Sequence, residues 1–495
     1  MAARLSAVRE VLPEADLRGG DPLLEDATHD HREVRPGALF CAVPGARHDG
    51  HDHAPAAAAA GAAALLVERW LDVALPQLRV ASVRAAMGPA AATVHGRPSD
   101  DLLLLGVTGT NGKTTVVTLL EAVLARAGGG TGVIGTLGVR LHGTSVPSPR
   151  TTPEATDLQR LLRDLRTRGA DAVAMEVSSH GLALHRVDGT RFAVVGFTNL
   201  TQDHLDFHGD MAAYLAAKAR LFTPALADRG VVLADAAGAS DLRAAAGIPL
   251  VVVGADAGAD LVVRDRDVGP DGASAVLVTA DGTVTVRTRL LGAHNLDNAL
   301  LAAAMALTAG VPPEAVTAGL AAATAPSGRL EPVPSPAGVA APRVLVDYAH
   351  TPDAVATVVA VGRGITSGRV AVVVGAGGDR DREKRPAMGA AAAAADLVVV
   401  TDDNPRGEDP AAIRAEVLAG ARTGVGAHEV TVLEIADRAA AIAEAVARSG
   451  AGDLVLILGK GHETGQERAG EVLPFDDREA AARALAAVGA AAVGS

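Results

Sequence analysis

Short apolar runs that alternate with amphipathic stretches dominate the middle of this chain. The first run, Leu102–Val107, leads directly into a glycine-containing loop and then into an amphipathic segment, Thr114–Ala127. Further β-type runs follow at 173–177, 194–198 and 230–233, with helical patterns between several of them. Apolar strands that alternate with helices predict a mostly parallel sheet that is covered on both faces.

The pattern changes twice more toward the carboxyl terminus. Residues 260–290 alternate Val with Thr and contain two Asp-Gly pairs, which predicts an antiparallel hairpin, either as an insertion or at a sheet edge. A helical pattern follows at 295–309. After a Pro-rich stretch that ends at Pro342, helical patterns precede the last four of five strand runs, which predicts a second doubly wound domain. These five runs are Val344–Val346, Val370–Val374, Leu397–Val400, Val430–Leu433 and Leu454–Leu458.

The length of 495 residues exceeds what one hydrophobic core supports and predicts two to four domains. We predict an α/β protein with three of them. A small amino-terminal α/β domain covers residues 1–101 and includes the strand run Ala64–Val67. A central doubly wound domain with a phosphate loop covers 102–326, and a Rossmann-like domain covers 327–495.

Composition excludes several classes of protein. The net charge is −13 and no block of basic residues is present, so we expect no nucleic-acid partner. Cys41 is the single cysteine, which excludes an intrachain disulfide and a cysteine-based zinc site. No apolar run reaches the length of a membrane span, and the amino terminus has no signal-peptide pattern. We therefore expect a cytoplasmic protein without membrane insertion, and a monomer.

Lysine is rare in this chain, and its positions are informative. Only four of the 45 basic residues are lysines, namely Lys113, Lys218, Lys384 and Lys460. Lysine offers a compact charge and a nitrogen that can lose its proton, whereas arginine stays protonated. Three of the four lie in segments typical of phosphate or ligand loops, and Lys218 lies in a helical pattern. The distribution favours an enzyme.

A candidate phosphate loop connects the first apolar run to the amphipathic segment. Glycines allow backbone N–H groups to approach phosphate oxygens, and the amino terminus of the following helix favours negative charge. Lys113 would reach the β- and γ-phosphates of a nucleotide, and the Thr114 hydroxyl would bind Mg²⁺. Val107 replaces the first glycine of the full motif, so a glycine turn without a ligand is the alternative. The candidate ATP-binding residues of this loop are Gly109, Thr110, Asn111, Gly112, Lys113, Thr114 and Thr115.

A second group of polar residues follows two neighbouring predicted strands. Glu176 ends one strand, where parallel sheets bind ligands, and could reach the Mg²⁺ of the phosphate loop. His204 and Asp206 follow the next strand and are candidate metal ligands, although a single histidine more often serves as a hydrogen-bonding residue. Lys218 could contribute as a carbamate, formed with CO₂, because an ammonium would repel the metal. A solvated helical lysine is the alternative.

The ordered set of motifs resembles the Mur ligase family from about residue 26 to residue 480. The matching segments are Thr108–Thr115, Thr151–Glu154, Glu176–His180, Tyr214–Phe222, Gly292–Ala299, Gly328–Glu331, Asp347–Pro352, Gly377–Arg380, Asp403–Arg406 and Gly459–Glu463. The resemblance implies a UDP-binding first domain, a central ATPase domain and an amino-acid-binding third domain. It also implies that Lys218 is carbamylated and holds Mg²⁺ with Glu176 and His204, and that two Mg²⁺ ions take part.

The resemblance assigns further residues to the substrates. The positions that contact adenine and ribose match Asn295, Arg329, Asp347 and His350. The positions that contact the UDP-sugar peptide match Asp30, His31, Arg32, Thr151, Thr152, Ser178 and Arg186. Three positions depart from the family pattern: His31 replaces a serine, Leu184 replaces a glutamine found in many members, and Leu233 replaces a frequent asparagine.

The third domain carries the residues that would select the incoming amino acid. In the family, the sequence Asp403–Arg406 goes with meso-diaminopimelate, and lysine-adding members have other residues there. Arg406 and Arg380 could each clamp a carboxylate, and diaminopimelate has a second carboxylate that lysine lacks. The alternative for Arg406 is a helix-cap or surface arginine. The candidate amino-acid-binding residues are Arg380, Asp403, Asn404, Arg406, Gly459 and Glu463.

The resemblance implies an ATP-dependent ligase that joins meso-diaminopimelate to the D-Glu γ-carboxylate of UDP-MurNAc-L-Ala-D-Glu through an acyl phosphate. Such an enzyme serves peptidoglycan synthesis. Three related ligases are alternatives: a lysine-adding member, a D-Ala-D-Ala-adding member and a folate polyglutamylating relative. A P-loop nucleotide-binding regulator without ligase activity is the alternative from another class.

Overall fold

The computed structural model describes residues 2–45, 48–336, 338–423 and 429–493, with side chains up to residue 489. Its first region forms a five-stranded sheet in the order β2-β7-β6-β5-β4, in which only the β2–β7 pair is antiparallel. The elements of this region are β1 (Ala3–Arg4), α1 (Leu5–Glu10), β2 (Asp16–Arg18), β3 (Leu23–Leu24), β4 (Asp26–Thr28), β5 (Ala38–Cys41), α2 (Ala54–Ala59), β6 (Ala64–Val67), β7 (Gln77–Arg79) and α3 (Val83–Val94).

The central region is built on an eleven-stranded sheet in the order β11-β10-β9-β12-β8-β13-β14-β15-β16-β17-β18. Its strands are β8 (Leu103–Thr108), β9 (Thr131–Gly135), β10 (Gly138–Leu141), β11 (Thr144–Val146), β12 (Ala172–Glu176), β13 (Phe192–Phe197), β14 (Ala227–Leu233), β15 (Leu250–Gly254), β16 (Leu261–Gly269), β17 (Gly272–Thr279) and β18 (Gly282–Thr288). Its helices are α4 (Lys113–Ala127), α5 (Ala155–Thr167), α6 (Ser179–Ala183), α7 (Leu205–His208), α8 (Met211–Ala219), α9 (Ala239–Ala245), α10 (Ala293–Thr308) and α11 (Pro313–Ala322).

Seven consecutive strands of the central sheet, from β9 to β16, pair in parallel, and antiparallel strands complete both edges. One apolar core lies between the sheet and helices α4, α10 and α11, and a second covers the other face beneath α5. Helix α5 shows why this layering forms: Leu158, Leu162 and Leu165 recur at helical spacing and are all buried. The doubly wound arrangement predicted from the apolar runs is thus present.

The third region has a six-stranded sheet in the order β19-β20-β24-β21-β22-β23, in which only the β19–β20 pair is antiparallel. The elements are β19 (Glu331–Val333), β20 (Arg343–Asp347), α12 (Pro352–Ile365), β21 (Val370–Val374), α13 (Lys384–Ala392), β22 (Leu397–Val400), α14 (Pro410–Thr423), β23 (Thr431–Glu434), α15 (Arg438–Ala447), β24 (Leu454–Leu458), β25 (Gly465–Arg468), β26 (Glu471–Pro474) and α16 (Asp477–Val493). Apolar cores cover both faces of this sheet as well.

Several elements differ from the sequence-based expectation. The Val-Thr segment forms three antiparallel strands, β16 to β18, at the sheet edge, rather than a single hairpin. Strands β9, β10, β11 and β15 were not predicted. The helical pattern around Lys218, which predicts a helix over 211–222, forms α8 only as far as Ala219 and continues as a 3₁₀ turn, Arg220–Phe222. Among the described residues, no helix combines the length and the apolar content that a membrane span requires.

Candidate active site

The phosphate loop lies between β8 and α4, at the carboxyl edge of the central sheet. Two of its glycines have positive φ, +146° at Gly109 and +88° at Gly112, which only glycine adopts readily. A Cβ at Gly109 would lie 1.8 Å from the Thr198 hydroxyl oxygen, and one at Gly112 would lie 2.4 Å from Asn298 Oδ1. The loop therefore needs both glycines to pack against the neighbouring strand and helix.

Lys113 folds back over this loop. Its Nζ donates to the carbonyl oxygens of Gly109 and Thr110, each at 2.9 Å. Burial lowers the pKa of Lys113, and the nearby carboxylates of Glu176 and Asp203 oppose that shift. The ammonium is thus held at the phosphate loop, where it can meet an anionic ligand.

Glu176 at the end of β12 accepts hydrogen bonds on both carboxylate oxygens and is only 2% exposed. Thr114 Oγ1 donates to Oε2 at 3.0 Å, and Thr136 donates through its hydroxyl to Oε2 at 3.1 Å and through its backbone N–H to Oε1 at 2.8 Å. Thr136 was not among the predicted site residues, because it follows an unpredicted strand and belongs to no motif. The buried carboxylate and the Thr114 hydroxyl together offer oxygen ligands to a hard cation.

Lys218 of α8 is 1% exposed and points at the phosphate loop. Its Nζ donates to Gly109 O at 2.8 Å and lies 4.3 Å from the centre of the Tyr214 ring. Burial, followed by repulsion from Lys113, lowers the pKa of Lys218 well below its ordinary value. The surroundings therefore favour a neutral amine at this position.

His204 lies at the start of α7 with a left-handed backbone, φ +55°. Its Nε2 is 3.4 Å from Asp203 Oδ2, and its ring meets the His180 ring edge-on at 4.7 Å. Asp203, rather than the exposed Asp206, is therefore the carboxylate beside this histidine. Within the described residues, no group of three or more His, Cys, Asp or Glu side chains is arranged to hold a metal ion.

A cavity of about 520 Å³ opens beside the phosphate loop. Helix α10 and the segment that follows β20 form its other walls. The volume falls within the range usual for small-molecule sites. The cavity brings together all the predicted adenine and ribose residues, and it adds His294, which the sequence did not indicate. Its predicted lining residues are Asn111, Gly112, Thr114, Thr115, Asn295, Arg329, Asp347 and His350.

Local hydrogen bonds fix the polar groups of this cavity. Asn295 donates to Leu291 O at 2.9 Å, and Asp347 accepts the backbone N–H groups of Leu330 and Ala349, each at 2.8 Å. Burial raises the pKa of Asp347, against the lowering effect of Arg329. The Arg329 guanidinium stacks over the Tyr348 ring at 4.8 Å.

His350 completes the wall of the cavity. Its Nδ1 lies 2.9 Å from Tyr348 O, and a carbonyl can only accept, so Nδ1 carries the proton. Burial and the nearby Lys384 lower the pKa of His350. A neutral imidazole with Nε2 free to accept is therefore the favoured form.

Four of the residues predicted to bind the UDP-sugar peptide gather beside Glu176. Thr152 Oγ1 donates to Glu176 O at 3.0 Å and accepts Ser178 N–H at 3.0 Å. Thr151 Oγ1 lies 3.0 Å from Thr136 Oγ1, and the Arg186 guanidinium pairs with Glu154 at 2.9 Å. Strand ends and the short helix α6 hold all four at one edge of the sheet.

The other three predicted residues lie in the first region, after β4. Asp30 accepts the Arg32 guanidinium and backbone N–H, which lowers the pKa of Asp30 to about 2. His31 stacks on His53 with ring centres 4.2 Å apart and nearly parallel planes. Two further residues depart from the family pattern. Leu233 lines the nucleotide cavity, and Leu184 follows α6.

The predicted amino-acid residues cluster where strands of the third sheet end. Arg406 has φ +52°, donates to Gly378 O at 2.8 Å, and pairs with Glu467 Oε2 at 3.1 Å through Nε. Asn404 Nδ2 donates to Glu463 Oε2 at 2.8 Å. Glu467 was not predicted, because it lies in the β25–β26 hairpin beyond the last motif.

The other three predicted residues of this cluster are Gly459, Asp403 and Arg380. Gly459 has φ +114°, and a Cβ there would lie 2.2 Å from Asp403 Oδ2, so a glycine lets this carboxylate approach the strand end. Arg380 is exposed and donates to Asp379 O at 3.2 Å. Its side chain is the least constrained of the predicted set.

The amino-acid cluster and the nucleotide cavity share a wall. Tyr348 lines the cavity, and its ring lies 5.3 Å from the ring of His462, which precedes Glu463 in the chain. Glu463 and Arg406 both act electrostatically on the phenol: burial first and the Glu463 charge next raise the pKa of Tyr348, and Arg406 opposes them. The two sites are therefore neighbours across one aromatic side chain.

Comparison with known proteins agrees with this arrangement. Three family models match: the Mur ligase family catalytic domain at residues 27–94, the Mur ligase middle domain at 107–306, and the Mur ligase glutamate ligase domain at 328–461. A relative from Streptomyces avermitilis is 48% identical over 91% of this chain and 90% of its own length. One from Geobacter metallireducens is 42% identical over 97% and 98%. Both are named UDP-N-acetylmuramoyl-L-alanyl-D-glutamate–2,6-diaminopimelate ligase.

Solved structures give the same result. A structure described as UDP-N-acetylmuramoyl-L-alanyl-D-glutamate–2,6-diaminopimelate ligase superposes with a TM-score of 0.71 at 32% identity and covers 98% of this chain and 99% of its own. A MurF ligase from Thermotoga maritima in complex with ADP, 21% identical over 94% and 98%, shares the fold with a TM-score of 0.64. Since relatives that match at 42–48% identity cover nine-tenths or more of the chain, this chain belongs to the Mur ligase family.

Proposed function

We propose that this protein joins meso-2,6-diaminopimelate to the D-glutamate γ-carboxylate of UDP-MurNAc-L-Ala-D-Glu and converts ATP to ADP and phosphate. The observation that carries the proposal is the shared wall between the nucleotide cavity and a cluster that presents both charges of an amino acid. Arg406 offers a cation for a carboxylate, and Glu463 offers an anion for an ammonium. The substrates named for the relatives above fit that pair of charges.

In the first step, a γ-carboxylate oxygen of the D-glutamate attacks the γ-phosphorus of ATP. The bond from that phosphorus to the β-phosphate oxygen breaks, and an acyl phosphate and ADP result. Lys113, held at the loop by Gly109 O and Thr110 O, would bind the β- and γ-phosphate oxygens. Asn295, Asp347 and His350 would hold the nucleoside in the cavity.

In the second step, the neutral amine of diaminopimelate attacks the acyl carbon. The tetrahedral adduct then loses phosphate as the carbon–oxygen bond breaks, and the nitrogen releases a proton. Arg406 and Arg380 would hold carboxylates of the amino acid, and Asp403, Asn404, Gly459 and Glu463 would receive the distal amino-acid end. Thr151, Thr152, Ser178 and Arg186 would hold the UDP-sugar peptide beside Glu176, with Asp30, His31 and Arg32 at the nucleotide-sugar end.

We further propose two Mg²⁺ ions and a carbamate on Lys218. The side chains fit: Thr114 and Glu176 offer oxygens, and His204 offers a ring nitrogen beside Asp203. Burial lowers the pKa of Lys218, which favours the neutral amine that reacts with CO₂. The carbamate would supply an anionic oxygen ligand to Mg²⁺. The bound Mg²⁺ would neutralise charge on the phosphoryl group. Hydrogen bonds from Thr136 orient Glu176 for this role.

Phosphate release from ATP tests the proposal directly. Purified protein is mixed with ATP, Mg²⁺ and UDP-MurNAc-L-Ala-D-Glu, and meso-diaminopimelate is compared with L-lysine as the second substrate. We expect release with diaminopimelate only, with the tripeptide product visible by mass. Phosphate release with L-lysine only would show that the protein adds lysine and not diaminopimelate. No release with either would favour a nucleotide-binding regulator.

A further inference from the structure

Lys460, the fourth lysine of the chain, lies inside the amino-acid cluster but has no role in the proposed function. Lys460 is the second residue after β24, between Gly459 and Gly461, and is 0% exposed. Its Nζ donates to Asn404 Oδ1 at 3.0 Å and to Glu463 Oε2 at 3.1 Å. A fully buried ammonium is costly unless it is paired, so its position reflects these two partners.

The three side chains form a closed triangle of hydrogen bonds. Asn404 Nδ2 donates to the same Glu463 oxygen that accepts from Lys460, at 2.8 Å. Asn404 Oδ1 also accepts the backbone N–H of Glu467 at 2.9 Å. The asparagine amide therefore has two donors facing its oxygen and an acceptor facing its nitrogen, which leaves one orientation for the group.

The triangle uses only one of the two carboxylate oxygens of Glu463. Both donors hold Oε2, and among the described residues no hydrogen bond reaches the other oxygen, Oε1. The Glu463 side chain is 31% exposed, so a ligand can reach its carboxylate. Because hydrogen bonds to Oε2 orient the carboxylate, Oε1 is a suitable acceptor for one ammonium group.

The backbone around Lys460 is supported independently of its ammonium. The end of β24 is tied down by Arg438, which donates to Leu458 O at 2.9 Å and forms a fully buried ion pair with Asp477. Loss of the Lys460 charge should therefore act on Asn404 and Glu463 before it acts on the strand. This separation makes a specific role testable.

We propose that Lys460 is a positioning residue that orients Asn404 and Glu463 to receive the distal ammonium of the diamino acid. The inference rests on the proposed function and adds to it a residue that acts through two others. Without Lys460, Glu463 Oε2 keeps only the donor from Asn404, and Asn404 Oδ1 keeps only the N–H of Glu467, so the carboxylate can rotate and the amide is held by fewer hydrogen bonds.

The test is steady-state kinetics of Lys460→Met and Lys460→Gln with two amino acids. One is meso-diaminopimelate, and the other is 2-aminopimelate, which keeps the reacting amine and both carboxylates but lacks the distal amine. We expect Lys460→Met to raise the KM for diaminopimelate about tenfold or more, with a much smaller change in the KM for 2-aminopimelate and for ATP. Lys460→Gln keeps an N–H donor and should lie between wild type and Lys460→Met.

Controls separate this role from general destabilisation. Arg448→Met removes a surface ion pair with Glu444 on α15 and should leave both KM values unchanged. If Lys460 acts through Glu463, adding Lys460→Met to Glu463→Gln should cost less than the sum of the two single effects. If Lys460→Met does not fold, Lys460→Gln tests the inference through the same comparison, the KM for diaminopimelate against the KM for 2-aminopimelate.

Three results would overturn the inference. An unchanged or lowered KM for diaminopimelate would show that Lys460 does not organise the acceptor. An equal rise for both amino acids would indicate a structural role only. A wild-type protein that releases no phosphate with diaminopimelate would overturn the proposed function and the inference together. If the wild type is active but Lys460→Met leaves the ratio of the two KM values unchanged, only the inference is overturned.

Discussion

The side-chain nitrogens of Lys113 and Lys218 donate to one acceptor, the carbonyl oxygen of Gly109, from 2.9 and 2.8 Å. Two ammonium groups at one carbonyl repel each other, and the repulsion adds to burial in lowering the pKa of Lys218. We propose that Lys113, which is half-buried at the loop, is the cation for phosphate. Lys218 is fully buried, and the lowering of its pKa favours loss of its proton.

Replacement of Lys218 with alanine should reduce the ligase rate about 100-fold or more, because an anionic ligand formed on its amine is lost. Short carboxylic acids such as acetate should restore part of the rate by entering the space that the side chain leaves. Activity is measured with and without the acid, with Arg448→Ala on α15 as a surface control. In parallel, gentle mass spectrometry should find the wild-type chain heavier by one CO₂. Full activity of Lys218→Ala would remove the carbamate from the mechanism.

Arg406→Ala should weaken diaminopimelate binding about 30-fold or more and leave the poor use of L-lysine unchanged. In the proposed function, the guanidinium, oriented by Glu467 and Gly378 O, would bind a carboxylate that lysine lacks. KM values for both amino acids provide the measurement. Arg468→Ala is the matched control, since it removes an exposed arginine of the hairpin whose backbone lies opposite Arg406. Equal losses for both amino acids would show that Arg406 does not select between them.

The stability of the third region should depend on pH through Glu408. Hydrogen bonds from the Arg385 guanidinium, together with its charge, hold the pKa of Glu408 at about 2, below its ordinary 4.5. A lowered carboxyl pKa contributes stability that is present above pH 4.5 and is lost as the pH falls toward 2. Glu408→Gln should therefore lower the Tm by roughly 4 °C at pH 7, although Glu416 still pairs with Arg385.

The measurement is thermal unfolding of wild type and Glu408→Gln across the acid range. The difference in Tm between the two proteins should shrink steadily below pH 4.5. A matched surface variant, Glu444→Gln, should show a small difference at every pH, because its ion pair with Arg448 is exposed. A difference between wild type and Glu408→Gln that is constant with pH would contradict the assignment to the Glu408 charge.

The sequence predicted those parts of the site that depend on local pattern. An apolar run followed by glycines and Lys113 specifies strand, loop and helix within a few residues, and β21, β22 and β24 have the predicted bounds. Thr136 and Glu467 were missed because they reach the site through a long-range strand register and a hairpin. Neither is signalled by neighbouring residues. Asp203 and Asp206 are alike in sequence, and only the left-handed turn at His204 decides which carboxylate faces the histidine.

Gly109→Ala should abolish detectable ligase activity, because the phosphate loop cannot accept a side chain there. The residue has φ +146°, and the new Cβ would lie 1.8 Å from Thr198 Oγ1, far inside contact distance. The loop would have to move, which displaces Gly109 O and with it the acceptor that Lys113 and Lys218 share. Nucleotide binding, measured by calorimetry with ADP, should weaken about tenfold or more.

The matched control is Gly258→Ala, because a Cβ at Gly258 meets nothing within 4 Å. It adds the same methyl group at an open position and should leave ADP affinity and ligase rate unchanged. Circular dichroism and thermal unfolding of both variants establish that the sheet is intact. If Gly109→Ala binds ADP like wild type, the loop tolerates a shift that its packing against Thr198 forbids, and the shared carbonyl is not what positions the two lysines.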